Sequence, residues 1–175
     1  MSKMQRLIVR QATDNDNDAI AKVNVVCWQE SYQSFFPAEY LSSLSWQDRS
    51  AGRKQFQTDP TRISFVAELE NKIIGFGDIG PTRIIESILD LDQTYFELYA
   101  MYVLKDYQRL GVGKQIFTAI KQHLSMNQIK NIVVWTLLEN EAAIKFYQNL
   151  GFIQTKWLKQ TKINSEYYEE TALIK

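Results

Sequence analysis

Leu104-Lys105-Asp106-Tyr107-Gln108-Arg109-Leu110-Gly111-Val112-Gly113-Lys114-Gln115 reads as a tight turn that opens a helix. Two glycines one residue apart let the backbone turn sharply and bring N–H groups close to a ligand, because no Cβ stands in the way. After the turn, Val112, Ile116, Ile120 and Leu124 recur every four residues with Phe117 beside them, the apolar stripe of an amphipathic helix. Before it, Phe96-Glu97-Leu98-Tyr99-Ala100-Met101-Tyr102-Val103 is aromatic and β-branched enough for a strand. Strand, glycine turn and helix start together form an anion site. The first N–H groups of a helix lack internal partners and the macrodipole is positive there, so phosphate is the natural guest. Arg109 and Lys114 add charge.

Spacing excludes two nucleotide motifs. A Walker A loop needs glycine five positions before Gly113-Lys114 and Ser or Thr after the lysine, where this chain has Gln108 and Gln115. A dinucleotide fingerprint needs a third glycine where Ile116 stands.

Around this centre, Leu7-Ile8-Val9-Arg10 signals a strand and Thr13-Asp14-Asn15-Asp16 supplies helix caps. Ile20, Val23, Val26 and Cys27 then recur at helical spacing, which makes Cys27 a small core residue rather than a nucleophile. Trp28, Tyr32, Phe35, Phe36 and Tyr40 follow, interrupted by Pro37; rings with an apolar body and a polar tip suit a core or a pocket wall equally. Ser45-Trp46-Gln47-Asp48 reads as a capping box. From Arg62 the period becomes two, and Glu70-Asn71-Lys72 turns the chain into Ile73-Ile74-Gly75-Phe76-Gly77, a β-hairpin. Pro81 to Asp92 reads as a connection with a helical turn around Ile84-Ile85 and Ile88-Leu89. Asn131 to Leu138 is a nearly continuous apolar run, as a buried central strand would be, parallel to the strand before the glycine turn. Phe152 to Lys159 and Glu166 to Ile174 form a final antiparallel pair.

The chain has 175 residues, 45% of them apolar, which suits a single domain over residues 1–175. Lys and Arg number 20 and Asp and Glu number 20, so the basic excess of a general nucleic-acid binder is missing. Residues 1–10 are too polar for a signal-peptide core, and no apolar run approaches the roughly 20 residues that span a bilayer; a cytoplasmic protein without a membrane partner is expected. One cysteine, Cys27, and one histidine, His123, leave no disulfide, cysteine cluster or multi-histidine site, so no metal is expected. His123, on the edge of the apolar stripe, is read as packing.

A second stretch carries further information. In Leu138 to Phe152, Asn140 is a candidate N-cap, Glu141 favours the positive helix end and Gly151 is a C′ glycine. At 100° per residue Ala142, Phe146 and Leu150 make one face, expected to be core, while Asn140, Ala143 and Tyr147 make the next.

Gln108, Arg109, Gly111 and Gly113 fit the pattern Gln/Arg-x-x-Gly-x-Gly/Ala, and there the chain resembles the GNAT superfamily of N-acetyltransferases. Asn140, Ala143, Phe146, Tyr147, Gly151 and Phe152 match that superfamily's Asn-x-x-Ala-x-x-Phe-Tyr-x-x-x-Gly-Phe helix position for position. The resemblance implies an α/β (α+β) fold with a mixed, mostly antiparallel central sheet flanked by helices and a splayed parallel strand pair in the middle. It implies acetyl-CoA as cofactor, with its pyrophosphate on the loop residues Gln108, Arg109, Leu110, Gly111, Val112, Gly113 and Lys114. The backbone N–H groups of Met101, Tyr102 and Val103 would take the carbonyl and pantetheine amides, and Asn140, Ala143 and Tyr147 would flank the pantetheine arm. It also implies direct attack by an amine. A lysine-like amine, of pKa about 10.4, is mostly protonated at neutral pH and needs a base, and the departing thiolate benefits from an acid. Glu97, through water, is the candidate base and Tyr147 the candidate acid. Trp28, Tyr32 and Tyr99 are candidate amine-binding rings. The acceptor stays open among polyamine, amino acid, antibiotic-like and peptide amines, as does a homodimer; the alternative is an acyl-CoA-binding sensor without turnover.

Overall fold

A computed structural model of the chain describes residues 6–83 and 95–175. In chain order the elements are β1 (Ile8–Gln11), α1 (Asn17–Ser31), α2 (Ala38–Ser42), α3 (Trp46–Gln57), β2 (Ile63–Leu69), β3 (Lys72–Pro81), β4 (Tyr95–Val103), α4 (Val112–Met126), β5 (Asn131–Leu137), α5 (Glu141–Asn149), β6 (Ile153–Ile163) and β7 (Glu166–Ile174). The strand order is β1-β2-β3-β4-β5-β7-β6. β4 and β5 run parallel, and the registered pairs β1–β2, β2–β3, β5–β7 and β6–β7 are antiparallel, which is the mixed α/β fold expected. The helical turn expected around Ile84 and Ile88 lies outside the described residues. The chain divides into two compact units, Met1–Ile79 with Ala100–Gln122, and Gly80–Tyr99 with His123–Lys175.

In the first unit, Glu70 (φ 50°) and Asn71 (φ 62°) both take the left-handed conformation, as the two central residues of a type I′ hairpin turn require, and set the register Leu69↔Lys72. Ser45 caps α3 by accepting the Asp48 N–H at 3.2 Å. α1 buries Ile20, Val23 and Cys27 against Val66, Ile73 and Phe76. Val26, expected on the same stripe, is exposed; Asn17, Ala21, Asn24 and Val25 are buried besides Ile20, Val23 and Cys27, so two polar residues are covered with them. The stripe of α4 is as expected, with Val112, Ile116, Phe117, Ile120 and Leu124 all buried. It rests on β3 at the two glycines: a Cβ at Gly77 would stand 2.9 Å from Ile120 Cδ1, and one at Gly75 would stand 2.9 Å from the Tyr102 carbonyl oxygen. Close helix-to-strand packing therefore explains both glycines.

Asp16 joins β1, β2 and the start of α1. It accepts from Arg10 at 2.7 and 2.9 Å and from the Thr13 N–H at 2.7 Å, while Arg10 also bonds Glu68. Hydrogen bonds from Arg10 hold the Asp16 carboxyl down at about 2, against the upward push of burial and with further help from Thr13. A depressed carboxyl stabilises the fold above its unfolded value of about 3.9 and loses that contribution as pH falls through the folded value. Discounted for solvent at the part-exposed Arg10, the linkage is about 1–2 kcal/mol. Asp16→Asn should lower urea-unfolding stability by that amount at pH 7 and by much less near pH 2. Equal losses at both would contradict the linkage.

In the second unit, β4 pairs with β5 from Tyr95↔Asn131 to Leu98↔Val134. β5 buries Ile132, Val133, Val134, Thr136 and Leu137, so residues pointing to both faces are covered, as its apolar run suggested. β6 runs on to Ile163, farther than expected, and Asn164 (φ 57°) makes the turn into β7. α5 ends at Gly151 (φ 88°) with two backbone bonds, Phe152 N–H to Tyr147 O at 3.1 Å and Gly151 N–H to Gln148 O at 2.9 Å. Those two bonds make a Schellman end.

Among the described residues, no helix is long and apolar enough to cross a membrane.

Candidate functional site

In the first unit the glycine turn is assembled from its own backbone. The Leu104 N–H donates to Ile74 O at 2.9 Å and pins the end of β4 to β3. One 3-10 turn, Lys105–Tyr107, follows, and the Gln108 side chain returns to donate to Val103 O at 2.9 Å. The chain then passes through the left-handed region twice, at Arg109 (φ 61°) and Gly111 (φ 81°), before α4 begins. Gly113 lies in the first turn of that helix. The turn thus comes from Arg109 and Gly111 rather than from two equivalent glycines. Gln115 N–H bonds Gly111 O at 3.0 Å and starts the helical ladder. The N–H groups of Val112, Gly113 and Lys114 precede it, where helix geometry gives no internal partner. A Cβ built at Gly111 meets nothing within 4 Å, and Lys105, Arg109 and Lys114, on the same turn and helix start, are exposed. Open space, free donors, a positive helix end and three cations suit a multiply charged anion such as a pyrophosphate.

Met101, Tyr102 and Val103 are half-buried at the end of β4. Tyr32 reaches this strand, its hydroxyl 3.2 Å from that of Tyr102. Trp28 and Tyr32 both stack on the buried Phe36, with centroids 5.6 and 5.2 Å apart, and the Arg49 guanidinium lies 4.7 Å from the Trp28 ring. Two of the three candidate amine-binding rings therefore belong to one aromatic cluster that extends to β4. Cys27, nearby on α1, is buried, and burial pushes its thiol up to about 12. Such a thiol is no nucleophile at neutral pH. Cys27→Ala should leave kcat unchanged, and native protein should resist iodoacetamide until it is unfolded; inactivation by alkylation of the folded chain would refute this.

In the second unit Glu97 is 1% exposed, and Arg83 holds both of its oxygens. Tyr99 donates its hydroxyl to Pro81 O and carries the Arg83 guanidinium 4.4 Å from its ring centroid. Arg83 is the residue that sequence reasoning missed: a lone arginine after Pro81-Thr82, fourteen positions from Glu97, matches no periodicity or motif. Asn140 caps α5, its side chain accepting the Ala143 N–H at 3.0 Å. Tyr147 is buried between the edges of Phe146 and Phe152, at 5.4 and 5.6 Å. The faces of α5 differ from expectation. Ala142 and Phe146 are exposed, and the covered side carries the buried Tyr147 with the half-buried Ala143 and Ile144. His123 is half-buried at the end of α4 with Nε2 3.3 Å from Asn127 Nδ2, in keeping with a packing role.

A mostly antiparallel sheet with one parallel pair, and a cationic glycine turn between the first strand of that pair and a helix, make this a mixed α/β protein with an anion-binding turn. The sequence profile of the Acetyltransferase (GNAT) family matches residues 25–152, and the chain belongs to that family of N-acetyltransferases. It is 31% identical over 141 residues to the uncharacterized N-acetyltransferase YuaI of Bacillus subtilis, covering 80% of this chain and 76% of that one. It is 26% identical over 168 residues to an N-alpha-acetyltransferase of Sulfurisphaera tokodaii, covering 93% of this chain and 86% of the relative. Among solved structures, the PaiA N-acetyltransferase of Thermoplasma acidophilum in complex with coenzyme A superposes with a TM-score of 0.70 at 18% identity, over 94% of this chain and 98% of that one.

Proposed function

We propose that the chain, acting as one catalytic domain, moves the acetyl group of acetyl-CoA to the primary amine of a small molecule or peptide by direct attack. The observation that carries this reading is the glycine turn, where Gly111 is left-handed with open space beside it at the start of a fifteen-residue helix, and the exposed Lys105, Arg109 and Lys114 lie within six residues of it in the chain. Its N–H groups would hold the pyrophosphate, and those of Met101, Tyr102 and Val103 the thioester carbonyl and pantetheine amides. In the reaction the amine nitrogen bonds the carbonyl carbon, the C–S bond breaks, the amine proton leaves through water toward Glu97, and the thiolate sulfur takes the Tyr147 proton. Trp28, Tyr32 and Tyr99 would wall the amine. A peptide α-amine comes first among acceptors because of the kinship with the archaeal N-alpha-acetyltransferase. Membership of an acetyltransferase family favours turnover over a sensor that only binds acyl-CoA.

The test is a screen of amine pools, with peptide termini, polyamines, amino acids and aminoglycosides separated, that follows CoA release with a thiol reagent. Release that depends on one pool, with acetylated product by mass spectrometry, is the expected result. Tight acetyl-CoA binding without release in any pool would return the reading to a sensor.

A further inference from the structure

We propose that Arg83 is a positioning residue of the transfer, which holds the Glu97 carboxylate as a charged acceptor in one orientation. The proposal deepens the reading of Glu97 as proton relay and rests on it. Glu97 sits in the parallel pair opposite Val133 and is 1% exposed, a costly place for a carboxylate without compensation. Among the described residues, the hydrogen bonds to this carboxylate come from Arg83. Its backbone N–H donates to Oε2 at 2.9 Å, Nε donates to Oε2 at 3.3 Å, and Nη2 donates to Oε1 at 2.5 Å. A planar guanidinium fork fixes the carboxylate plane as well as its charge, which an ammonium would not do. A carboxylate offers about four acceptor sites, so these three bonds leave about one for a water.

The clamp is itself braced. Glu97 and Tyr99 are two apart on β4 and so share a face. Tyr99 stacks on the guanidinium and bonds Pro81 O, two residues before Arg83, which closes a circuit from the strand back to the clamp. Burial opposes the charge on Arg83, and the hydrogen bonds and charge of Glu97 more than offset it, so its pKa is raised. The charged and titratable groups around the pair are Tyr99 on β4 and Glu170 on β7, and Glu170 is engaged by Lys159 at 3.1 Å and Thr161 at 2.5 Å. The Arg83 side chain is 57% exposed although its partner is buried, so the pair joins a dry carboxylate to solvent water. A merely structural brace would stabilise the strands without touching proton traffic. A positioning residue must move the pH response.

Two readouts test this on the full chain. With carboxyl-labelled glutamate, the NMR signal lost in Glu97→Gln identifies Glu97, and Arg83→Gln should displace that signal at pH 7, because the guanidinium donors to the carboxylate are gone. In initial-rate assays with acetyl-CoA and the best amine of the screen above, the acidic limb of kcat/KM should move to higher pH, kcat at pH 7 should fall at least tenfold, and the KM for acetyl-CoA should stay within about twofold. If Arg83→Gln does not fold, the double variant Arg83→Gln with Glu97→Gln removes the buried charge and serves instead; it should be no slower than Glu97→Gln alone. An unmoved Glu97 signal, or a double variant tenfold slower than Glu97→Gln, overturns the proposal for Arg83. A moved signal with an unchanged pH profile in Glu97→Gln overturns instead the reading of Glu97 as relay.

Discussion

Tyr147→Phe is expected to lower kcat by roughly 10²–10⁴-fold, the usual value of general acid help, while the affinity for acetyl-CoA changes little. Protonation of the departing sulfur requires a donor that keeps its proton at neutral pH, and a phenol, with an ordinary pKa of about 10, does so. Phenylalanine is the informative replacement because of how the ring is held. Tyr147 is 8% exposed and meets Phe146 and Phe152 edge to face, so the ring contributes packing that Phe retains and Ala would lose. Loss of kcat in Tyr147→Phe with an unchanged melting temperature assigns the effect to the hydroxyl. A folded Tyr147→Phe protein with normal single-turnover acetyl transfer would remove the acid role and leave Tyr147 as a core residue of α5. Tyr147→Ala should instead lose stability by about 3–5 kcal/mol, the usual range for a truncated buried aromatic.

The elements legible in the sequence are those whose signal is local. The stripe from Val112 to Leu124 sits on one helix, and the fit of Asn140 and Gly151 to the two ends of α5 follows from capping chemistry within a few residues. The turn at Glu70-Asn71-Lys72 was likewise legible, although the structure confines it to Glu70 and Asn71 and puts Lys72 in β3. What escaped is non-local or conformational. Arg83 meets Glu97 only because a strand brings position 97 beside it, and an arginine in a connection carries no mark of its future partner. Arg109 at φ 61° was hidden for another reason, since only glycine advertises a left-handed backbone. The faces of α1 and α5 were misjudged where a helix carries apolar residues on more than one side; Val26 and Phe146 are apolar yet exposed, and only tertiary packing decides between such faces. Gly75 and Gly77 read as ordinary strand residues, although their lack of a Cβ lets α4 lie close.

Gly111→Val should weaken acetyl-CoA binding by roughly 10–100-fold in isothermal calorimetry. The reason lies in the backbone. A Cβ at Gly111 would meet no protein atom within 4 Å, so the substitution creates no internal clash. At φ 81°, however, a β-branched residue is strained by about 1–3 kcal/mol. The loop can bear that strain or relax toward negative φ. Relaxation would turn the N–H groups of residues 112–114 away from a shared focus, and bearing the strain would still set valine methyls in the open space where the anion is proposed to lie. Both routes reduce affinity, and 1.4 kcal/mol per tenfold converts the strain into the stated range. Gly111→Asn separates them from general damage, because asparagine tolerates the left-handed region and should bind within several-fold of the parent. Gly111→Val should lose stability by up to that strain where the loop bears it, while Gly111→Asn should be nearly unaffected, since the turn is exposed. Acetyl-CoA affinity in a folded Gly111→Val protein equal to that of the parent would take the glycine turn out of the cofactor site.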